Sequence, residues 1–369
     1  MPYRFIKRLL PAIAILLSAS PGMCQKIPPL PDDSIVRTFT IDQNLFCYIY
    51  PNRNPDDRTA FRIVSKDSPS VFSIHDISVT DTETADSCLL TLRDSLLARP
   101  SLAGHALIAA GDFDTGRIEG RIREIFGNTT LYNGKAINPI INNVRISRDT
   151  IAGMKVITDT CAVRHRFLIC WENEALPAEL GRTAVRYSDD MIREIISRSL
   201  NRRLQVLSAD PHSLVTDAVF KYCDTYCCKD TASVTFTVKG NDTDKSLRTL
   251  LAEIEKVINH GFTDEEIRLA KYDILEEYRS AADSAQPLTN EEITGLLTVC
   301  FLQDRPFIGP EYRKSLTERT LPLLDDETIN QTVTMSISAD NMSITHICPA
   351  KNQSGKKAGK QKKTRRKSR

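Results

Sequence analysis

Apolar and polar positions alternate in short runs over the first third of the chain, and each run is closed by turn-forming residues. Residues 38–50 form two such runs around Asp42-Gln43-Asn44, and Ala60 to Ser65 alternates again. His105 to Ala110 is uninterruptedly apolar and ends at Gly111-Asp112. Alternation is typical of half-buried strands and a short apolar run of fully buried ones. This region therefore predicts four strands.

Two amphipathic helices are predicted around the fourth strand. The first runs from Thr84 to Ala98 and is stopped by Pro100; the second ends at Phe126. Their apolar positions recur at helical spacing. These positions are Cys88, Leu89, Leu92 and Leu96 in the first helix, and Ile118, Ile122, Ile125 and Phe126 in the second.

The rest of the chain repeats this mixture after a polar stretch at Asn128 to Thr150, which we interpret as an interdomain linker. Two capping boxes, Thr263-x-x-Glu266 and Thr289-x-x-Glu292, mark helix starts. The predicted strands are 166–171, 220–226, 233–239 and 341–347; the predicted helices are 180–207, 246–259, 263–282 and 289–303. The pattern predicts an α+β fold in which antiparallel sheets carry helices on one face.

The N-terminus has the pattern of a signal peptide. Arg4, Lys7 and Arg8 precede a short apolar stretch and small residues, and Cys24 fits a cleavage position. Lipid attachment at Cys24 is the alternative. No later segment is apolar enough to cross a membrane. We expect an exported, periplasmic protein.

Charge is distributed unevenly along the chain. Residues 351–369 contain ten Lys and Arg and no acid, so the 35 bases of residues 27–350 face 47 acids. A basic low-complexity tail is predicted to be disordered, either simply solvated or in contact with anionic envelope surfaces. It lacks interleaved aromatic residues, so no nucleic-acid partner is expected.

The chain contains ten cysteines, and nine would remain after cleavage at Cys24. Cys47, Cys170 and Cys300 lie in apolar runs, which predicts burial as small hydrophobic side chains. A second group of three lies close together in sequence, but no ligand pattern completes a metal site around it. Its members are Cys223, Cys227 and Cys228.

Four stretches resemble one family in its own order. They are LFCYIYPNRNPDDRTAFRIVSKDS, HALIAAGDFDTGRIEGRIREIFG, HGFTDEEIRLAKYDILEEYRSA, and FLQDRPFIGPEYRKSLTERTLPLLDDETIN followed by DNMSITHICPAK. Together they reach from about Arg37 to Lys351, and they are similar to the insulinase/pitrilysin metallopeptidases, especially the long bacterial periplasmic type. The resemblance implies two insulinase-like modules, the first of them truncated.

Active members of that family carry His-x-x-Glu-His on a helix soon after the third strand, where two histidines bind zinc and the glutamate activates water. Here the chain runs from Lys66 to His75-Asp76 and then into the end of the module, so the zinc helix is expected to be missing. No histidine pair at i and i+4 exists among the six histidines, at positions 75, 105, 165, 212, 260 and 346. A site assembled from these scattered residues remains the alternative.

The family's substrate-gripping Arg and Tyr also have no counterpart. Arg202 and Arg203 end the long helix, but no Arg-Gly-x-x-Tyr follows. They are expected to be solvated or paired with acids, with substrate gripping as the alternative. The sequence shows no nucleophile elbow and no phosphate-binding glycine loop.

These observations predict a pseudo-peptidase with no catalytic, cofactor-binding or metal-binding residue. The expected organisation is a signal peptide (1–24), a linker (25–34), the truncated first module (35–127), a linker with an entry strand (128–160), an inactive second module (161–350) and the tail (351–369).

Its expected partner is an active insulinase-family subunit or an extended peptide, held in the groove between the modules. Strands 166–171 and 233–239 are expected to be protected by such a partner. The alternatives are a weak zinc peptidase with non-standard ligands and a structural envelope protein tethered by its tail.

Overall fold

The structure is a computed structural model, and it describes residues 28–41, 45–54, 58–68, 71–79, 85–97, 104–127, 154–174, 176–223, 229–283, 288–338 and 341–350. The described residues form two five-stranded sheets with helices packed against them. The predicted signal peptide, the stretch 128–150 and the basic tail lie outside these residues.

The first sheet is built by the N-terminal third of the chain. Its strands are β1 (Arg37–Ile41), β2 (Leu45–Pro51), β3 (Thr59–Ser68), β4 (Val71–Val79) and β5 (His105–Gly111). They lie in the order β1-β2-β5-β3-β4. The β2–β5 pairing is parallel and the other three are antiparallel. The helices of this region are α1 (Ala85–Leu97) and α2 (Thr115–Gly127).

The second sheet follows in the order β6-β10-β7-β9-β8. Its strands are β6 (Lys155–Asp159), β7 (Arg166–Glu174), β8 (Val215–Cys223), β9 (Lys229–Val238) and β10 (Met342–Pro349). The β6–β10 pairing is parallel and the other three are antiparallel. The helices are α3 (Ala184–Ala209), α4 (Thr243–His260), α5 (Asp264–Asp283), α6 (Asn290–Gln303), α7 (Pro310–Thr320) and α8 (Asp326–Ser336).

The two sheets are buried to different extents. One face of the first sheet packs against α1 and α2 around Leu89 and Ile122. Its other face packs against α6, where Ile293 and Leu297 cluster with Ala106, Ile108 and Ala110 of β5. The second sheet buries one face under α3, α4, α5, α7 and α8, in a core that contains Trp171.

The protein has two halves, one built around each sheet, and helix α6 joins them. This helix lies in the part of the chain that forms the second half, but it packs on the first sheet. Arg62 of β3 donates to the Thr298 hydroxyl at 3.1 Å, and Lys66 Nζ donates to the Leu302 carbonyl at 3.0 Å. The segment predicted as an N-terminal linker is also fixed: Arg182 forms a 2.8 Å ion pair with Asp32. The halves are therefore connected by side chains as well as by the chain itself.

The predicted fold class is confirmed: the protein is α+β, with two sheets of mainly antiparallel strands. Two details differ. Each sheet has one parallel pairing, and α6 covers the second face of the first sheet. Both capping boxes are present, with Thr263 bonded to Glu266 and Thr289 to Glu292.

Three elements were not predicted from the sequence, namely β4, α7 and α8, and β6 was predicted only as an entry strand without bounds within 128–160. Strand β6 has no regular buried face, because four of its five residues are exposed. Helix α7 buries one aliphatic side chain, Leu316, beside Thr317 and Thr320. Weak apolar periodicity gave these elements no clear signal. The start of α8 is nonetheless capped by Asp325, which accepts from the Thr328 N–H at 2.6 Å.

Candidate functional site

The chain after the third strand forms an edge strand where the resemblance implies a zinc helix. Strand β4 pairs with β3, and His75 lies across from Ile63. The helix that follows, α1, contains no histidine. Neither element contains the paired histidines of a zincin motif.

Arg202 and Arg203 are used to hold two helices together. Arg203 forms a bidentate salt bridge with Glu266, with Nε–Oε1 at 2.6 Å and Nη2–Oε2 at 2.7 Å. Arg202 pairs with Asp273 of the same helix, α5. Hydrogen bonds from Arg203 lower the pKa of Glu266 to about 2, against the opposing effect of burial and with help from Thr263. Both arginines therefore have acidic partners in the fold, which is one of the two arrangements expected from the sequence.

A groove of about 540 Å³ lies between α3 and β8 of the second half and α6, which covers the first. Aromatic side chains line much of it: Tyr187, Phe220, Tyr222, Tyr278 and Phe307. On the α6 side it is lined by Leu296 and Val299, both substantially exposed. Burial raises the pKa of Tyr187 and of Tyr222 to about 12. These phenols are therefore protonated at neutral pH.

An ion-pair network lies along one wall of the groove. Arg186, Asp190, Arg193 and Arg305 line the groove, and Asp189 and Asp230 pair with them. Asp190 contacts Arg186 at 3.0 Å and Arg305 at 2.9 Å. Arg193 contacts Asp189 at 2.8 Å and Asp230 at 2.5 Å. Buried pairs of this kind are costly to break and fix the geometry of the elements that carry them. The network holds α3 against β9 and against the segment after α6.

The strands that were expected to be protected by a bound peptide, 166–171 and 233–239, are interior. They belong to β7 and β9, and each has a neighbour on both sides. That expectation is wrong, because an added strand needs a free edge. The edges are β1 and β4 in the first sheet and β6 and β8 in the second.

Strand β8 is closed by helix α3. Asn201 accepts from the Phe220 N–H at 2.8 Å and donates to the Phe220 carbonyl at 3.0 Å. Ser208 accepts from the Ala218 N–H at 3.4 Å. These side chains satisfy backbone groups that a neighbouring strand would otherwise take, which is one way in which proteins protect an edge.

Strand β6 carries the more exposed apolar side chain of the two edges, since Val156 is 58% exposed and Val219 of β8 is 39% exposed. Ile157 of β6 is also exposed, as are Met154 and Val163, which flank the strand. Among the described residues, β6 pairs only with β10, in parallel, over residues 155–159. An apolar edge strand of this kind is a template for pairing with another chain.

Two of the scattered histidines are brought together at the end of the second sheet. His165 Nδ1 and His346 Nε2 lie 3.1 Å apart. One ligand atom from each histidine and Cys348 Sγ lie within 4.8 Å of one another. Among the described residues this is the one group of three or more metal-ligating side chains. The sequence missed it because the two histidines are 181 residues apart.

The cysteines follow the expectation in part. Cys47 is buried, whereas Cys170 and Cys300 are partly buried. Burial raises the pKa of Cys47 to about 12 and that of Cys300 to about 11, so neither is a reactive thiolate. Cys24, Cys227, Cys228 and the side chain of Cys223 lie outside the described residues.

Within the residues that the structure describes, every helix is too short or too polar to span a bilayer.

Comparison with solved structures identifies the fold. The first half of the periplasmic protease PqqL from Escherichia coli superposes with a TM-score of 0.70 at 12% identity, covering 88% of this chain and 94% of that one. An insulinase family protease from Yersinia pestis, described as predicted, gives 0.68 at 10% identity, covering 90% and 96%. A peptidase M16 inactive domain from Pseudomonas fluorescens gives 0.57 at 9%, covering 85% and 98%.

The chain therefore has the insulinase-type fold, as the resemblance implied. It spans about half of full-length PqqL, 48% of that chain. No protein-family model and no curated protein matches the sequence.

Proposed function

We propose that this chain is a non-catalytic, exported binding protein of insulinase-type fold that holds an extended polypeptide as an added strand on β6. The observation that carries the proposal is the exposed apolar edge of that strand. The absence of His-x-x-Glu-His from the sequence supports the non-catalytic part. The inactive domain of the same fold from Pseudomonas fluorescens is consistent with it.

The edge comparison supports β6 over β8 within the second sheet. At β8, Asn201 and Ser208 already bond the backbone, so a peptide would have to displace them. At β6, Val156 and Ile157 point to opposite faces of the sheet, since successive side chains alternate. Both are exposed. An added strand gains main-chain hydrogen bonds along the edge and apolar contacts on both faces.

Binding is tested with a library of fluorescently labelled, unstructured peptides and fluorescence anisotropy. Val156→Lys should weaken binding of any captured peptide by about tenfold or more, since it replaces an apolar contact with a charge. Val206→Lys is the matched control, because Val206 is a more exposed valine, 74%, on α3. Hydrogen exchange should slow at 155–159 in the complex. Equal effects of the two variants, or protection confined to β8, would reject β6 as the binding edge.

Catalysis is tested on the same peptides by mass spectrometry. The chain should leave them intact with zinc and without it. Cleavage that a chelator abolishes and zinc restores would instead establish the alternative, a zinc peptidase with non-standard ligands. Capture that disappears at moderate salt would indicate charge attraction through the basic tail.

A further inference from the structure

We propose that His165, His346 and Cys348 form a binding site for a borderline transition-metal ion, Zn²⁺, that clamps β7 to β10. This goes beyond the proposed function, since it concerns a site in the fold and not peptide capture. It also replaces the expectation, drawn from the sequence, that the chain has no metal-binding residues.

The register between β7 and β10 brings the three residues together. His346 pairs with Phe167 and Ile347 with Arg166, so the antiparallel register places Cys348 across from His165. His346 and Cys348 are two residues apart on one strand and therefore lie on the same face. The backbone of His165 is fixed as well, because its carbonyl accepts from the Val238 N–H at 2.9 Å. Backbone hydrogen bonds thus hold all three residues before any ion binds.

The donor set suits zinc. Two imidazole nitrogens and a thiolate are ligands of tetrahedral zinc sites, at about 2.0–2.1 Å for nitrogen and about 2.3 Å for sulfur. Such bond lengths place two ligand nitrogens roughly 3.3 Å apart, and the His165 and His346 nitrogens lie at 3.1 Å. Cys348 Sγ is within 4.8 Å, so a small side-chain rotation completes the set.

A neighbouring ring fixes the orientation of one ligand. The His346 ring stacks on Phe167 with centroids 4.3 Å apart, which fixes its plane. A fourth position remains for water.

The test measures zinc binding by the full chain without a histidine tag. Competition with a chromophoric chelator should detect one zinc per chain, and Co²⁺ should give the absorption of a tetrahedral site with a sulfur ligand. Cys348→Ser and His346→Gln should each weaken zinc affinity by about tenfold or more, since even removal of supporting groups costs that much. Zinc should also raise the melting temperature of the wild type.

Matched controls separate this site from adventitious binding. Cys161→Ser removes an exposed thiol, and His212→Gln removes an exposed imidazole; both should bind zinc as the wild type does. Circular dichroism establishes that each variant is folded. Where His346→Gln does not fold, Cys348→Ser and His165→Gln carry the test. No zinc binding, or binding that the controls weaken as much as the cluster variants, would overturn the proposal. In either case the His165–His346 pair is only a hydrogen bond. Because the readouts are metal binding and stability, failure here leaves the peptide-binding proposal untouched.

Discussion

The two sheets have equal strand numbers and the same balance of parallel and antiparallel pairings, yet they are buried differently. All seven residues of β5, at the centre of the first sheet, are buried, because helices cover both faces. On β9 of the second sheet, Val234, Phe236 and Val238 are buried while Thr235 between them is exposed. The strands of a sheet that is covered on both faces have continuous apolar sequences. The strands of a sheet that is covered on one face alternate between apolar and polar residues.

This difference in burial indicates where the backbone of the molecule is accessible to a partner. The first sheet depends on α6, an element supplied from the second half of the chain. The described helices cover one face of the second sheet. Its β8 edge is closed by α3, while β6 at the other edge exposes Val156 and Ile157. Sites for a partner are therefore expected on the second sheet, while the first sheet holds the two halves together.

The largest expected effect comes from removing a contact between α6 and the first sheet. Leu297 is fully buried there, so Leu297→Ala should lower the free energy of unfolding by about 3 kcal/mol through lost burial and a cavity. Urea denaturation measures it. Leu296→Ala, one position away and 42% exposed, should cost much less. Equal effects would mean that α6 does not cover the first sheet as described.

The second prediction concerns the hydrogen bonds by which α3 protects the β8 edge. Asn201→Ala leaves the Phe220 N–H and carbonyl without their side-chain partner, which should cost about 2 kcal/mol. Ser208→Ala removes one longer bond, 3.4 Å, and should cost less. Hydrogen exchange should speed up at β8 in Asn201→Ala. If β8 exchanges as in the wild type, α3 does not protect that edge, and the contrast between β6 and β8 fails.

Local signals in the sequence predicted much of this architecture. Capping boxes, the alternation of β9 and the apolar run of β5 each lie within a few residues, so their physics is readable without the fold. The elements that were missed have weak apolar periodicity. Helix α7 packs through Leu316, Thr317 and Thr320, a set that does not differ in sequence from an exposed turn.

Contacts between residues far apart in the chain could not be predicted from the sequence. Nothing in the spacing of Ile293 and Leu297 indicates that α6 covers the first sheet and not the second. The His165–His346 contact follows from the β7–β10 register, which pairs residues about 180 positions apart. The same holds for the strand edges: 166–171 and 233–239 read as strands, but only the sheet order shows that they are interior.

The third prediction concerns the helical layer of the second half. Glu266 of α5 has a folded pKa of about 2, below the ordinary 4.5. It therefore stabilises the fold above about pH 4.5, and this contribution is lost as the pH falls towards 2. Glu266→Gln should cost about 1 kcal/mol at neutral pH, allowing for solvent screening. The gap between wild type and variant should close by about pH 2.

Urea denaturation followed by Trp171 fluorescence measures this, since Trp171 is the one tryptophan and is buried in the second core. Glu265→Gln is the control, because Glu265 is exposed and pairs with Arg268 beside it; a smaller effect is expected. A gap that stays constant from pH 7 to 2 would show that the Arg203 pairing does not stabilise the fold.

The smallest effect is expected from deleting residues 351–369. Their ten bases offer little to bury, so deletion should shift the melting temperature by less than about 2 °C. The body from 27 to 350 carries 35 bases and 47 acids, so attraction between tail and body is a physical alternative. The tail follows β10, between β6 and β7. Docking would therefore place it near the β6 edge of the second sheet. A drop of several degrees that disappears at high salt, with faster hydrogen exchange at β6, would show that the chain covers its own exposed edge.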